Sequence, residues 1–502
     1  MNIIQTIEDP ALLGGSFKSL DTWRAWFIVL KALFNLPIED ADDLKTLQDC
    51  TGLVNPPSER IQEASIISGR RSGKSFVTSI IGVFLACFKD WTPFLTAGER
   101  AWVFIIAVDR EQAKIIKGYV SGILNSSKIL RGMIDQELKE EIHLKNRVSI
   151  GIKTCSFRGV RGYTVACAIL EETAFWRSDE SANPDSEVIT ALRPALTTIP
   201  DSLLISISTP YSRRGVLWET FRKNYGQAGK TFVWKSPSLK MNPTLNQDII
   251  GDALKDDPAA ARAEWLAEWR EDIEGFLSLD LVEAVVIPGR GDLPKMTGVK
   301  YLAFLDPSGG RNDSFTIAIC HREKSEKIII DVLRERRPPF RPTEVVAEFS
   351  MLLKNFGITS AKSDRYGGEW VTEAFQKHGI TVEASEFSAS ELYVEFLPII
   401  LNGAVELPDN ARLTAQLVNL ERRTRTGGKD LITHFPGGHD DLANAAAGAV
   451  FLATDRNTVH LWIAGCGDRG VKNYLKKEVV NSVKDDLRKE VFNSVFEITY
   501  RR

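Results

Sequence analysis

The stretch Ile66-Ile67-Ser68-Gly69-Arg70-Arg71-Ser72-Gly73-Lys74-Ser75 decides how the first half of this chain folds. A mostly apolar run, Ala64–Ile67, leads into it, and Phe76–Ile81 after it is typical of the start of a helix. A glycine-bearing turn between a strand and a helix N-terminus points backbone N–H groups at a bound phosphate. Lys74 can reach the β- and γ-phosphates, and Ser75 can hold magnesium. The stretch therefore predicts a nucleotide site.

This loop departs from the G-x-x-x-x-G-K-[ST] pattern at its first glycine. Ser68 stands at that position, and Gly69 follows one place late. The alternative interpretation is a basic, glycine-containing loop that binds nothing. On the phosphate-loop interpretation, the residues expected around ATP are Gly69, Arg70, Arg71, Ser72, Gly73, Lys74 and Ser75.

Apolar strands and helices alternate after the loop. Ala101–Ala107 predicts a buried strand, a helix follows to about residue 124, and Thr164–Leu170 predicts another strand. This alternation indicates a parallel sheet covered on both faces. In a phosphate-loop ATPase we expect the neighbouring strand to end in an acid that holds magnesium, followed by a carboxylate that orients the attacking water. Glu171 and Glu172 fit these roles, although paired glutamates at a strand end can also be simply solvated.

Three other segments of this half have two interpretations each. Ser202–Ser208 predicts a strand that ends in Thr209-Pro210, where hydroxyls either sense the γ-phosphate or merely precede a proline. Trp23 and Trp26, on a predicted helix within residues 19–37, either stack on a base or belong to the core. Val148–Phe157 predicts paired short strands. Candidates for a charge-stabilising arginine finger are Arg158, Arg161, Arg213 and Arg214.

A second set of acids follows the proline- and glycine-rich stretch at 287–294. Tyr301–Leu305 predicts a strand that ends in Asp306, the first of a three-stranded meander, and a later strand ends in Asp364. Asp440 and Asp441 open an alanine-rich helix. Three carboxylates brought together would suit Mg²⁺ or Mn²⁺, and two such ions about 3.5–4 Å apart can clamp a phosphodiester. Taken singly, the same acids can be helix caps or turn formers.

Composition sets limits on the class of protein. The chain has 502 residues, 43% of them hydrophobic and 26% charged, which predicts a globular protein of two or more domains. The formal net charge of -3 does not indicate a nucleic-acid binder, but it can hide basic surfaces. Six widely spaced cysteines and the lack of a leader-like N-terminus predict a reduced, intracellular protein, and no apolar run is long enough to span a membrane.

The ordered set of motifs resembles the large terminase subunit of tailed bacteriophages. The resemblance covers about residues 20–455 and rests on the loop, the Glu171-Glu172 strand end, Ser208-Thr209-Pro210, Asn242-Pro243, Asp306–Asp313, Asp364 and Gly438-His439-Asp440-Asp441. It implies an α/β fold in which a P-loop ATPase domain with a mostly parallel sheet (1–275) is joined by a linker (276–295) to a ribonuclease H-like nuclease domain (296–455). A basic tail (456–502) carries ten Lys/Arg against six Asp/Glu.

The resemblance also implies roles and partners. Lys74 and Ser75 would bind ATP and Mg²⁺, Glu171 would bind Mg²⁺, and Glu172 would activate water. Ser208-Thr209-Pro210 would couple hydrolysis to movement. Asp306, Asp364 and one of Asp440 or Asp441, preferably Asp441, would hold Mg²⁺ or Mn²⁺ for DNA cutting. The expected partners are double-stranded DNA, the portal protein, the small terminase subunit and further copies in a ring, in the cytoplasm of the infected host.

Two alternatives remain at this point. The first is a helicase- or repair-type P-loop ATPase fused to a nuclease. The second, a non-enzyme, is a DNA-binding scaffold with relic sites.

Overall fold

The computed structural model describes residues 1–155, 159, 162–176, 181, 184–365, 368–424 and 430–454. The predictions for Arg158, Arg161 and the tail from 456 lie outside the described residues.

The described residues form two compact units. The first consists of Met1–Ala284 together with Asn410–Ala443, and the second consists of Val285–Asp409 together with the described residues from Asn444 onward. The predicted domain boundaries at residues 275 and 296 lie near the change of unit after Ala284 and stay predictions. The return of Asn410–Ala443 to the first unit has no counterpart in the predicted boundaries.

The strands, in chain order, are β1 (Glu63–Ser68), β2 (Ala101–Ala107), β3 (Ile134–Glu137), β4 (Glu141–Leu144), β5 (Val148–Thr154), β6 (Thr164–Glu171), β7 (Leu203–Ser208), β8 (Thr231–Ser236), β9 (Ile273–Gly275), β10 (Tyr301–Asp306), β11 (Phe315–Arg322), β12 (Ile328–Arg336), β13 (Ser360–Ser363), β14 (Thr381–Ala384), β15 (Val405–Glu406), β16 (Glu421–Arg423) and β17 (Leu431–Thr433).

The α-helices are α1 (Ile3–Glu8), α2 (Arg24–Leu33), α3 (Ala41–Thr51), α4 (Lys74–Phe88), α5 (Arg110–Ser126), α6 (Lys128–Met133), α7 (Pro184–Leu196), α8 (Gly215–Asn224), α9 (Ser238–Met241), α10 (Gln247–Asp256), α11 (Pro258–Leu266), α12 (Leu279–Glu283), α13 (Pro342–Asn355), α14 (Gly368–Gln376), α15 (Ala389–Leu401), α16 (Ala411–Val418) and α17 (Asp441–Ala453).

The large sheet of the first unit has the order β3-β4-β5-β2-β6-β7-β1-β8. All neighbours from β5 to β8 in this order are parallel, and only β3, β4 and β5 pair antiparallel. The predicted mostly parallel sheet is confirmed. Because parallel strands end at the same edge, the carboxyl ends of β1, β6 and β7 bring the loop, the two glutamates and Thr209 together.

Two details of this sheet differ from the sequence predictions. The glutamate-bearing strand β6 is not the neighbour of β1, because β7 pairs with both and lies between them. The paired short strands predicted within Val148–Phe157 are also wrong. Val148–Thr154 is one strand, and its antiparallel partner is the earlier β4.

The sheet of the second unit has the order β14-β13-β10-β11-β12-β15. The first three strands in sequence, β10, β11 and β12, form the predicted antiparallel meander, and β13 and β14 continue the sheet parallel to β10. This 3-2-1-4-5 arrangement of the five principal strands agrees with the expected ribonuclease H-like fold. The parallel pairing of β10 with β13 places Asp306 and Asp364 at one edge.

A small antiparallel sheet, β17-β16-β9, belongs to the first unit. Its central strand carries Glu421, which is 1% exposed and accepts a hydrogen bond from the hydroxyl of Tyr211 at 3.1 Å. These contacts join the segment Asn410–Ala443 to the part of the first unit that follows β7.

In the described part of the chain, no helix combines the length and apolar character that membrane crossing requires.

Candidate functional site

The phosphate loop connects β1 to α4, and Ser68 is its unexpected first residue. Ser68 is still the last residue of β1, is fully buried, and places its Oγ 3.0 Å from the Oγ of Ser72. Because this position is extended strand rather than turn, it does not need the freedom of glycine. The serine instead links the two ends of the loop.

Residues outside the loop pack so closely on Gly69 that a side chain would not fit at this position. A Cβ at this position would lie 2.1 Å from Ser238 Oγ and 2.7 Å from the carbonyl oxygen of Glu264. The same segments bind the loop backbone, since the Arg70 N–H donates to the Glu264 carbonyl at 2.5 Å and the Asn242 amide donates to the Arg71 carbonyl at 2.8 Å. The loop is therefore fixed by α9 and α11 as well as by its own strand and helix.

Two tryptophans support the loop from the other side. Trp26 is fully buried and donates its indole N–H to the Ser72 carbonyl at 2.6 Å. Gly73 has φ 92°, and a Cβ there would lie 2.7 Å from the Trp23 ring. The core interpretation of Trp26 is thus confirmed, and its ring supports the loop rather than facing a bound base.

Lys74 is buried at the start of α4 and faces the ends of β6 and β7. Its ammonium lies 3.2 Å from Glu172 Oε1 and donates to Thr209 Oγ1 at 2.8 Å. It also donates to the carbonyl oxygens of Ser68 and Gly69 at 3.3 and 3.1 Å. The lysine therefore joins the loop to both strand ends that the sequence singled out.

Glu171 ends β6 with a side chain that is 1% exposed. Its Oε2 accepts hydrogen bonds from Ser75 Oγ at 2.9 Å and from the amide of Gln112 at 3.1 Å, while its Oε1 has no hydrogen-bond partner among the described residues. Burial raises the pKa of this carboxyl above its ordinary value. A buried carboxylate oxygen beside a serine hydroxyl fits a hard divalent cation, so these residues suit Mg²⁺.

Glu172 follows directly and lies in a different environment. Its φ of 53° is in the left-handed region, and its backbone N–H donates to the Ile207 carbonyl at 2.7 Å. Its Oε2 accepts from the Thr209 N–H at 3.0 Å and from Ser208 Oγ at 3.2 Å. The carboxylate is partly exposed and adjoins a cavity of about 600 Å³ that the phosphate loop also lines.

The second unit carries a separate pair of carboxylates. Asp306 is the last residue of β10, and Asp364 follows β13 and donates its backbone N–H to the Leu305 carbonyl at 2.8 Å. Asn444 on α17 donates its amide to the Oδ2 of Asp306 and to the Oδ2 of Asp364, each at 2.9 Å. The two oxygens are therefore no more than 5.8 Å apart, the sum of the two hydrogen-bond lengths. Two hard oxygen donors this close suit Mg²⁺ or Mn²⁺.

Small residues on α17 position Asn444. A Cβ at Gly448 would lie 2.4 Å from the ring of Phe304, so only glycine lets this helix approach β10 so closely. Asn444 stands one turn earlier on the helix and is 4% exposed. The alanine-rich composition of the helix is thus explained by its close packing on the sheet.

Asp440 and Asp441 stand at the start of α17. Asp441 is the first helical residue, and the N–H groups of Leu442 and Ala443 donate to the Gln416 side chain at 2.8 and 3.1 Å. No group of three or more His, Cys, Asp or Glu able to hold a metal is found among the described residues. The third ligand of the nuclease metals, Asp441 or Asp440, therefore stays a prediction.

Comparison with known proteins identifies relatives of this chain. No family model matches the chain. The large terminase subunit of Thermus virus P23-45 is 23% identical over 424 residues, covering 76% of this chain and 82% of that protein. That of Thermus phage G20c is 23% identical over 426 residues, with the same coverage. The predicted resemblance to large terminase subunits is confirmed.

Solved terminase structures are also similar to this chain. The large terminase of bacteriophage HK97 has a TM-score of 0.37 and 18% identity, covering 86% of this chain and 99% of that chain. The large terminase nuclease of phage G20c has a TM-score of 0.30 and 18% identity, covering 36% of this chain and 98% of that chain.

Two of the arginine-finger candidates, Arg213 and Arg214, are described by the structure, and both have defined partners. Arg213 pairs with Glu271 and lies over the ring of Trp218, and Arg214 donates to the Val418 carbonyl at 3.3 Å. Neither residue lines the phosphate-loop cavity.

Two amides of these sites are absent from the sequence predictions. Gln112 lies three residues into α5 and contacts Ser75 and Glu171, and Asn444 contacts both aspartates of the second unit. Asn444 could have been found from its spacing, because it is three residues after Asp441 and so lies on the same helix face. Gln112 gives no such signal.

Proposed function

We propose that this chain is the large subunit of a tailed-phage terminase. In this proposal residues 1–275 hydrolyse ATP to move double-stranded DNA into a procapsid, and residues 296–455 cut concatemeric DNA by metal-dependent hydrolysis. The observation that carries the proposal is the convergence of Lys74 and Ser75 with Glu171, Glu172 and Thr209 at one sheet edge.

The contacts support the roles proposed within the ATPase site. Ser75 and Glu171 would hold the magnesium ion, and Lys74 would bind the phosphates of ATP. Bound magnesium neutralises the phosphate oxygens and so supplies charge stabilisation. Glu172, one residue beyond Glu171 and partly exposed to the cavity, orients the attacking water and accepts its proton.

The end of β7 is the route by which hydrolysis is coupled to movement in this proposal. Thr209 donates its backbone N–H to Glu172 and accepts a hydrogen bond from Lys74. Phosphates that bind Lys74 would compete with Glu172 and Thr209 for its ammonium group. A change in the phosphates is therefore transmitted to Ser208-Thr209-Pro210 by two direct contacts.

The nuclease site is assigned to Asp306 and Asp364 with Asp441 as the third carboxylate, or Asp440 in its place. Asp441 stands one helical turn before Asn444, which supports this choice. When bound, Mg²⁺ or Mn²⁺ stabilises the charge that develops on the phosphodiester oxygens. Asn444 holds the first two carboxylates in a fixed relation, which prepares them to share a metal.

The remaining parts of the proposal rest on the family resemblance. The ATPase is assigned to residues 1–275, the nuclease to 296–455, the linker to 276–295 and partner contacts to the basic tail 456–502. The partners are the portal protein, the small terminase subunit and further copies in a ring, in the cytoplasm of the infected host.

Two substitutions in the full chain test the proposal. Lys74→Ala should abolish ATP hydrolysis and leave Mn²⁺-dependent DNA cutting intact, because the phosphate loop lies in the first unit. Asp306→Ala should abolish cutting and leave ATP hydrolysis intact. Matched controls are Lys255→Ala and Glu348→Ala, which remove exposed side chains of the first and second units and should change neither activity.

Packaging of DNA into empty procapsids separates this proposal from its alternatives. A helicase or repair ATPase would unwind a duplex and would not fill capsids. A scaffold with relic sites would bind DNA with neither ATP turnover nor metal-dependent cutting. Either result would overturn the proposal.

A further inference from the structure

Helix α5 has a face that its own packing does not explain. The helix buries Ile116, Val120, Ile123 and Leu124, as an amphipathic surface helix does. Ile115 and Tyr119, one turn apart, are nevertheless 52% and 42% exposed. Neighbouring apolar side chains that stay exposed are a feature of ligand-binding grooves and interaction sites.

This exposed pair continues the phosphate site. The cavity of about 600 Å³ beside the phosphate loop is lined by residues 70–75 and also by Phe76, Ile115 and Tyr119. Gln112, one turn before Ile115, donates its amide to Ser75 Oγ at 3.0 Å. The α5 side chains Gln112, Ile115 and Tyr119 therefore extend from the proposed magnesium ligands to an aromatic ring.

The aromatic wall is held rigidly from behind. The Phe76 ring centroid lies 5.8 Å from that of Tyr119, with an angle of 75° between the rings. Phe76 also packs against Phe17 at 5.0 Å and Trp23 at 5.1 Å. Phe76 is therefore packed on several sides and supports the ring of Tyr119.

A nucleotide has two parts that match the two kinds of residue lining the cavity, the phosphate loop and the apolar side chains. Its phosphates are charged, and its base is a flat ring joined to them through the ribose. Along the chain, Phe76 follows Ser75, so the apolar wall starts where the phosphate ligands end. A second copy of the chain is a less suitable occupant, because the patch is the wall of a cavity continuous with the phosphate loop.

We propose that Tyr119 and Ile115, backed by Phe76, form the subsite that receives the base of the bound nucleotide. This inference rests on the proposed function, since it assumes that the phosphate loop binds a nucleoside triphosphate. The contact is stacking on an aromatic face, which tolerates any base because every base has a π face. Removing the Tyr119 ring should weaken nucleotide binding about five- to a hundredfold.

The test compares ATP with inorganic tripolyphosphate, which has the phosphates but no base. Dissociation constants are measured by calorimetry on the full chain with Mg²⁺, for the wild type, Tyr119→Ala and Tyr119→Phe. Tyr119→Ala should weaken ATP binding about five- to a hundredfold and leave tripolyphosphate binding unchanged. Tyr119→Phe keeps the ring and should bind both as the wild type does. Ile129→Ala, which removes a 57% exposed side chain of α6 outside the cavity, is the matched control.

Each other outcome overturns the inference in a distinct way. Equal weakening of both ligands in Tyr119→Ala would mean that the ring supports the loop rather than the base. No change in either would mean that the patch receives something else, such as a second copy. A wild type that binds neither ligand would overturn the proposed function itself, and this result is distinguishable because it does not depend on Tyr119.

Discussion

The two carboxylate sites of this chain are assembled in opposite ways. In the first unit, Glu171 and Glu172 are consecutive, and the strand end sends them to different partners, Ser75 for one and Thr209 with Lys74 for the other. In the second unit, Asp306 and Asp364 are distant in sequence, and one amide binds both. The two adjacent glutamates therefore contact different groups, whereas the two aspartates, which are far apart in sequence, share one hydrogen-bond donor.

Each site also contains an amide that joins a carboxylate to a second group. Gln112 bridges Glu171 to the neutral hydroxyl of Ser75, whereas Asn444 bridges two carboxylates. Two like charges close together repel, so the loss of a shared donor should matter more when both partners are acids. The amide should therefore be more important in the second unit than in the first.

The largest expected effect comes from substituting the two consecutive glutamates one at a time. Glu172→Gln should lower kcat for ATP hydrolysis by about 10²–10⁴-fold, because an amide cannot accept the proton of the attacking water. ATP binding should be nearly unchanged. Glu171→Gln should instead raise the Mg²⁺ concentration needed for half-maximal rate. Steady-state kinetics with Mg²⁺ titration measure both, and an exchange of the two phenotypes would reverse the assignment of roles.

The next effect concerns the shared amide of the second unit. Asn444→Ala leaves Asp306 and Asp364 without their common donor, so metal-free stability should fall by about 1–3 kcal/mol. Mn²⁺ affinity should fall about 10–100-fold, as it does when residues that orient metal ligands are removed. Thermal unfolding with and without Mn²⁺ and direct Mn²⁺ titration measure the two effects.

Asn402 provides a control for the Asn444 substitution. Asn402→Ala changes an exposed asparagine that follows α15 in the same unit and should alter neither quantity. If Asn444→Ala binds Mn²⁺ as tightly as the wild type does, then Asn444 only fills space between α17 and the sheet.

A smaller effect is expected from the amide of the first unit. Gln112→Ala removes donors to Ser75 Oγ and Glu171 Oε2 but leaves those two groups bonded to each other at 2.9 Å. The Mg²⁺ requirement of ATP hydrolysis should therefore rise by about tenfold or less. A loss as large as that of Glu171→Gln would contradict the view that the amide is secondary in this site.

The sequence predicts some parts of these sites better than others, for physical reasons. Strand-end acids such as Glu171 and Asp306 can be found because an apolar strand is followed by a carboxylate, and parallel pairing brings such ends together. Asn444 can be found in the same way from its helical spacing to Asp441, whereas the contact of Gln112 with Glu171 depends on which helix packs over which strand, which local patterns do not encode. The order of strands is similarly non-local, so the position of β7 between β1 and β6 has no sequence signal.

The role of glycine in the loop shows the same limit. The sequence pattern expects a glycine at the position of Ser68. The structure instead needs one at Gly69, where Ser238 and Glu264 approach from 169 and 195 residues later in the chain. Only the tertiary contact explains why the glycine is displaced by one position.

The smallest predicted effect is a dependence of stability on pH in the first unit. Burial raises the pKa of Glu171 in the folded protein above its ordinary value of 4.5. The folded state then holds its proton more tightly than the unfolded state, so this contribution to stability is complete below about pH 4.5 and is lost as pH rises through the folded pKa.

The variant Glu171→Gln tests this dependence, because its amide cannot lose a proton. Without divalent metal, the melting temperature of the variant relative to the wild type should therefore rise by a few degrees between pH 5 and pH 8. Saturating Mg²⁺ should reduce the difference, because the cation stabilises the ionised carboxylate. Calorimetry at both pH values with and without EDTA measures it, and an identical pH dependence in both proteins would mean that the Ser75 and Gln112 hydrogen bonds already compensate the charge. In that case hydrogen bonds rather than burial would govern the ionisation of Glu171.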